Sequence, residues 1–183
     1  MQANRWRRSV RVACIALALF PWQSAGASDG SWRHDGTRET EASGGYFVEF
    51  RARRGMTPFG HNYMVYGRLN AQGDMIAPQV VGFSDGDPRD VHLYAAHGHV
   101  GPLTLDFTNP PTVIYRRHLT AVQFERLAAK IRQMRRARPP YHFIFLNCED
   151  FTGEIAESIG LVRSPGLMLP MAYVVWLRAL NGP

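Results

Sequence analysis

The residues best suited to chemistry in this chain of 183 residues stand at positions 147–150, Asn-Cys-Glu-Asp. A cysteine is a nucleophile as the thiolate, and a helix N-terminus lowers the thiol pKa. Asn is a preferred N-cap, so Asn147 predicts a helix that carries Cys148 in its first turn. N–H groups in such a turn also bind a developing oxyanion. Glu149 and Asp150 suit the positive end of the helix dipole, but their charge raises a nearby thiol pKa. The placement therefore calls for a cationic partner, most simply a histidine. Without one, Cys148 reads as a small buried hydrophobe.

The elements that must position this thiol are visible around it. Leu146 and Phe151 can staple the helix start, and Gly160 suits its end. Phe151, Ile155 and Ile159 recur at helical spacing, and Cys148 falls on the same inward face. Upstream, residues 46–54, 61–69 and 75–83 are rich in β-branched and aromatic side chains and predict strands. The turn Asn70-Ala71-Gln72-Gly73 makes the second and third an antiparallel hairpin, and Pro78 pushes the third toward an edge or a late start. Residues 84–111 read as loop, with a short strand-like patch at Leu103–Phe107. Residues 112–119 predict another strand. Thr120 and Gln123 form a capping box for a helix with Phe124, Leu127, Ala128, Ile131 and Met134 on its apolar face. Arg132, Arg135, Arg136 and Arg138 crowd its C-terminal end, where cations belong. Residues 167–180 are apolar but too short for a membrane span, and read as a buried helix or docking segment. Trp176 leaves a peripheral membrane contact open.

The N-terminus predicts export. Arg5, Arg7, Arg8 and Arg11 precede a short apolar run, 12–20, and Ala25-Gly26-Ala27 is a small-x-small cleavage site. Residues 1–27 read as a signal peptide cut after Ala27, residues 28–45 as a flexible lead-in, and residues 46–183 as a single domain. Cleavage removes Cys14 and leaves Cys148 alone, so no intramolecular disulfide forms and a reactive thiol gains weight. It also takes four arginines, leaving 17 basic against 15 acidic residues. The formal charge of +6 thus says little for nucleic acid as a partner.

A thiol nucleophile needs a base within hydrogen-bond reach. The mature chain offers His34, His61, His92, His97, His99, His118 and His142. His34 is in the lead-in, and His142 lies so close to Cys148 along an extended run that it points elsewhere. His118 stands beside two arginines. His92, His97 and His99 have no Asp, Glu or Cys at metal-ligand spacing and read as loop histidines. His61 opens a strand just after a turn, where a side chain can meet a helix end.

Two motifs add a resemblance. Asn147–Phe151, NCEDF, is similar to the NCEHF motif of the lecithin:retinol acyltransferase-like proteins, with Asp150 where the family has His. His61–Gly67, HNYMVYG, resembles that family's histidine strand. The order, histidine strand before cysteine helix, matches the circularly permuted branch of the NlpC-type papain-like superfamily. The resemblance implies an α+β papain-like core, a small antiparallel sheet packed against the cysteine helix, with Cys148 as nucleophile and His61 as base. It also implies a third polar residue that orients the imidazole. A hairpin turning around Gln72 sets Phe83 opposite His61. Ser84 and Asp85 are then the nearest polar candidates, and Asp85 could hold an imidazolium; Gln79 lies closer to the turn, and a main-chain carbonyl could also serve.

The expected function is an exported cysteine-dependent hydrolase of an amide or ester bond, working through an acyl-enzyme, with a cell-wall peptide as one substrate class. Acyl transfer or phospholipase-like chemistry on a lipid is the alternative, and a non-catalytic envelope binding module is the third reading. No cofactor, metal or nucleotide site is expected, since no glycine-rich phosphate loop follows a strand.

Overall fold

The computed structural model describes residues 44–55, 59–87, 89 and 93–183. All of them fall in the unit Gly36–Pro183. The expected signal peptide, nearly all of the lead-in, His34 and His92 lie outside the described residues.

The fold is α+β. Five strands form one antiparallel sheet: β1 (Tyr46–Arg53), β2 (His61–Leu69), β3 (Met75–Ser84), β5 (His99–Gly101) and β6 (Val113–Leu119). Their spatial order is β5-β3-β2-β1-β6. Two short strands, β4 (Tyr94–Ala95) and β7 (Tyr141–His142), pair separately. The helices are α1 (Leu105–Thr108), α2 (Ala121–Ala137), α3 (Cys148–Ser158) and α4 (Pro170–Asn181).

Strand alternation sorts the sheet into two faces. Phe50 pairs with Met64 and Tyr115, and Met64 with Val81. These side chains, with Phe83, form the main core together with Leu127 and Ile131 of α2, Phe151, Ile155 and Ile159 of α3, and Val174 and Leu177 of α4. Each fully buried Leu, Ile or Phe there contributes roughly 1.5–3 kcal/mol. Within the segment 167–180, α4 puts one face into the core: Tyr173, Val174 and Leu177 are fully buried, while Val175 and Trp176 stay exposed.

The opposite face carries Phe47, Tyr63 and Val65 as a smaller apolar cluster. Beside it lies a charged network in which Glu49 pairs with both Arg51 and Arg116. Arg53 is fully buried, and its Nε donates to Asp106 Oδ1 at 2.8 Å. Asp106 Oδ2 accepts the Leu103 N–H at 2.8 Å. This explains why Leu103–Phe107 is not the expected short strand. The Asp106 carboxylate bonds back to the chain entering the turn at Leu103 and ties it to β1 through Arg53, and residues 105–108 form one helical turn.

The β2–β3 hairpin turns as its sequence predicts. Asn70 Oδ1 accepts N–H groups from Gln72 and Asp74, and Gly73 takes φ +85°. Its register then shifts. Arg68 pairs with Ile76 but Tyr66 with Gln79, so β3 spends one extra residue at Ala77-Pro78. Ala77 is left-handed there, with φ 44°. Such a bulge is where a proline fits a strand, and β5 covers only Gly82–Ser84, so Pro78 costs no ladder bond. The bulge moves the position opposite His61 from the expected Phe83 to Ser84.

Candidate functional site

Cys148 is the first residue of α3, and the structure explains the start of that helix in full. Asn147 Oδ1 accepts the N–H groups of Glu149 at 2.8 Å and Asp150 at 3.2 Å, while Asp150 Oδ2 accepts the Asn147 N–H at 3.1 Å. This is a reciprocal capping box. Asn147 Nδ2 also donates to the Phe143 carbonyl at 2.8 Å, tying the cap to the preceding turn. Thr152 Oγ1 donates to the Cys148 carbonyl at 2.7 Å. Cys148 is in no disulfide among the described residues, and it is 5% exposed.

The two acidic neighbours do not sit as open charges beside the thiol. Asp150 forms an ion pair with Arg163. Gly153 makes room for that arginine, since a Cβ there would lie 2.5 Å from Arg163 Nε. Glu149 is buried, and Oε2 accepts only a long hydrogen bond, 3.3 Å, from the Met168 N–H. Burial is the main cause that pushes its carboxyl pKa up to about 7, with the Asp150 charge adding to it and the Met168 bond opposing it. A pKa of about 7 leaves both protonation states of Glu149 accessible near neutral pH.

Cys148 and Glu149 share the wall of a cavity of about 220 Å³. Most of the remaining wall is apolar, with Phe59, Tyr141, Phe143, Ile144 and the segment Leu167–Pro170, and Gly60 and the Asn147 cap complete it. Tyr141 and His142 form β7, and the chain then turns tightly rather than running extended to Asn147. The His142 carbonyl accepts the N–H groups of Phe145 and Leu146. His142 Nδ1 accepts from the Ile144 N–H, so this histidine braces the turn.

His61 opens β2 on the Tyr63 face of the sheet. His61 pairs with Arg53, and paired residues share a face. Its ring stacks on Tyr63, with centroids 6.3 Å apart and planes 5° from parallel. A Cβ on Gly82, the partner of Tyr63, would come within 2.6 Å of His61 Nε2. All three observations place His61 on the Tyr63 face, whereas α3 packs on the Met64–Phe83 face. Asp85 accepts two backbone hydrogen bonds. Its Oδ1 accepts the Asp87 N–H and its Oδ2 the Leu93 N–H, which holds the loop after β3. Ser84, opposite His61, accepts the Gly86 N–H.

The residue that β2 does present toward α3 is Asn62, which pairs with the core residue Ala52. It is fully buried, and neither side-chain polar atom has a hydrogen-bond partner among the described residues. The alternation of His61–Tyr66 already assigns Asn62 to the Met64 face. The raised carboxyl of Glu149 has no such signal, because it depends on the segment 167–170 closing over it.

Among the described residues no three His, Cys, Asp or Glu side chains cluster to hold a metal ion, and no helix is long and apolar enough to cross a membrane. His99 Nε2 lies 3.4 Å from the Pro102 carbonyl, and His97 is exposed. No family model, no curated protein and no solved structure matches the chain.

Proposed function

We propose that the protein is an exported cysteine-dependent acyl hydrolase or transferase, acting on an ester or amide whose acyl group is apolar. The observation that carries this reading is the shared wall: a thiol at a capped helix N-terminus and a buried carboxyl titrating near 7 line one apolar cavity. Ionised Glu149 takes the proton from Cys148, and the thiolate attacks the carbonyl carbon. The Cys148 N–H holds the oxyanion, and protonated Glu149 returns its proton to the leaving group. Water, or an alcohol or amine acceptor, then attacks the thioester, releasing the acyl product and regenerating the thiol. A carboxyl pKa near the working pH suits both halves of that proton shuttle.

The NCEDF and HNYMVYG motifs support a papain-like, acyltransferase-like relationship, and α3 against an antiparallel sheet fits it. In this reading the base role passes from His61 to Glu149. The apolar cavity wall favours a lipid-like acyl group over a polar cell-wall peptide.

The test is the rate of Cys148 alkylation by iodoacetamide against pH, for the wild type, Glu149→Gln and His61→Ala. The expected result is reaction well below the ordinary thiol pKa of about 8.5. The wild-type profile should inflect near 7, Glu149→Gln should abolish that inflection, and His61→Ala should keep it. An inert thiol, or a profile governed by His61, overturns this reading. Inertness would favour a binding pocket in which Cys148 is only wall.

A further inference from the structure

We propose that the Cys148 cavity sets the length of the acyl group, so that the substrates are esters or amides of acyl groups of up to about eight carbons, not of long membrane-lipid chains. For its chemistry this rests on the acyl-enzyme reading above; the size limit rests on the cavity alone. The cavity holds about 220 Å³. A dry apolar cavity of about 150 Å³ takes one benzene ring, about 25 Å³ for each non-hydrogen atom. At that density about nine atoms fit here, which is one carbonyl oxygen and about eight carbons.

Burial gives the cavity a direction. Tyr141, Cys148 and Glu149 line it and are buried, and the Tyr141 ring packs on Phe83 of the main core, with centroids 5.3 Å apart. These residues form its inner end. Phe59, Ile144 and Leu167 line it and are exposed, so they form its mouth. A carbonyl carbon within reach of the thiol therefore lies at the inner end, beside the one carboxyl, and its chain runs outward between apolar walls. Carbons beyond about the eighth stand at the mouth against water, where a further methylene buries little surface.

Both walls are braced, which keeps the volume fixed. On one side the Phe143 N–H donates to the Leu93 carbonyl at 3.0 Å, and the Phe143 carbonyl accepts from Asn147 Nδ2. The Phe143 ring also meets the Phe59 ring, with centroids 4.9 Å apart. On the other side the Met168 N–H is tied to Glu149. That segment is anchored before Met168 by Ser164, whose Oγ donates to the Tyr173 carbonyl at 2.9 Å, and after it by Pro170, the first residue of α4. A preformed cavity of fixed volume discriminates by size, because a chain that overfills it forces packed side chains out of place.

The experiment has a binding arm and a turnover arm. The first is calorimetric binding of straight-chain primary alcohols, from butanol to dodecanol, to the purified protein. Alcohols carry no acyl group, so binding is read without turnover. Affinity should rise about fourfold for each added methylene as far as octanol and then level off. Phe143→Ala takes a ring from the wall and should move that break at least about two carbons longer, and Phe143→Leu should move it less. The second arm is hydrolysis of p-nitrophenyl esters of the same chain lengths, in which kcat/KM should climb and level off at the same length. Alcohols that do not bind, or an affinity that keeps its slope to dodecanol, overturn the size limit. Turnover that favours the palmitate ester over the octanoate ester also overturns it, and leaves the acyl-enzyme reading standing. A break at octanol with no ester hydrolysed keeps the size limit and overturns the acyl-enzyme reading instead.

Discussion

Glu149→Gln should make the protein more stable at alkaline pH and leave it unchanged at acid pH. Glu149 carries a carboxyl whose pKa rises from 4.5 to about 7 on folding, chiefly by burial. A raised carboxyl pKa means that the folded state holds the proton more tightly than the unfolded state does. Its contribution to stability is therefore complete below 4.5, falls as pH rises, and is gone above about 7. The gap, at about 1.4 kcal/mol per pH unit, is about 3 kcal/mol. Water reaching Glu149 through the cavity mouth lowers that figure, so a loss of about 1–3 kcal/mol is expected. The substituted glutamine keeps the shape and can still accept the Met168 N–H, but never ionises. Urea unfolding of both proteins at pH 4.5 and pH 8 measures the difference directly. The two should agree at the lower pH, and the variant should lead by about 1–3 kcal/mol at the higher one. Parallel stability curves would mean that Glu149 ionises freely in the folded state. The proton shuttle assigned to it would then lose its basis.

Two further perturbations test the geometry. Gly82→Ala places a Cβ 2.6 Å from His61 Nε2, so it should cost about 1–3 kcal/mol, and most of that cost should vanish in a His61→Ala background. An unaltered penalty in the double variant would mean that the His61 ring does not lie over Gly82. Asp106→Asn removes the partner of the buried Arg53 guanidinium and should cost about 3–5 kcal/mol, read as a lower urea midpoint. Replacing both, Arg53→Met with Asp106→Leu, should recover most of that loss. A single variant as stable as the wild type would refute the buried pair.

The elements that depend on local chemistry were readable before the fold. The Asn147 cap, the Thr120–Gln123 capping box, the Asn70–Gly73 turn and the helical spacing of Phe151, Ile155 and Ile159 each rest on residues a few positions apart. Features that depend on distant partners were not. Leu103–Phe107 alternates like a strand, but its carboxylate is drawn to Arg53, more than fifty residues earlier. Nothing in Met75–Ser84 places the extra residue at Ala77-Pro78, because a bulge reflects how β3 fits β2 rather than the preference of either.

Parity decides the candidate site in the same way. His61 and Asn62 are adjacent, yet strand alternation sends one to the charged face with Arg53 and the other to the helical core with Ala52. Matching a histidine to a motif identifies the strand and leaves its face open. The face follows from the apolar residues that share it: Met64, Tyr66, Val81 and Phe83 meet the helices, so Asn62 goes with them. The helix that carries Cys148, α3, packs on the helical side. There the structure offers the Asn62 amide on β2, which has no hydrogen-bond partner among the described residues, and the Glu149 carboxyl, next to Cys148 in sequence, whose pKa burial raises to about 7.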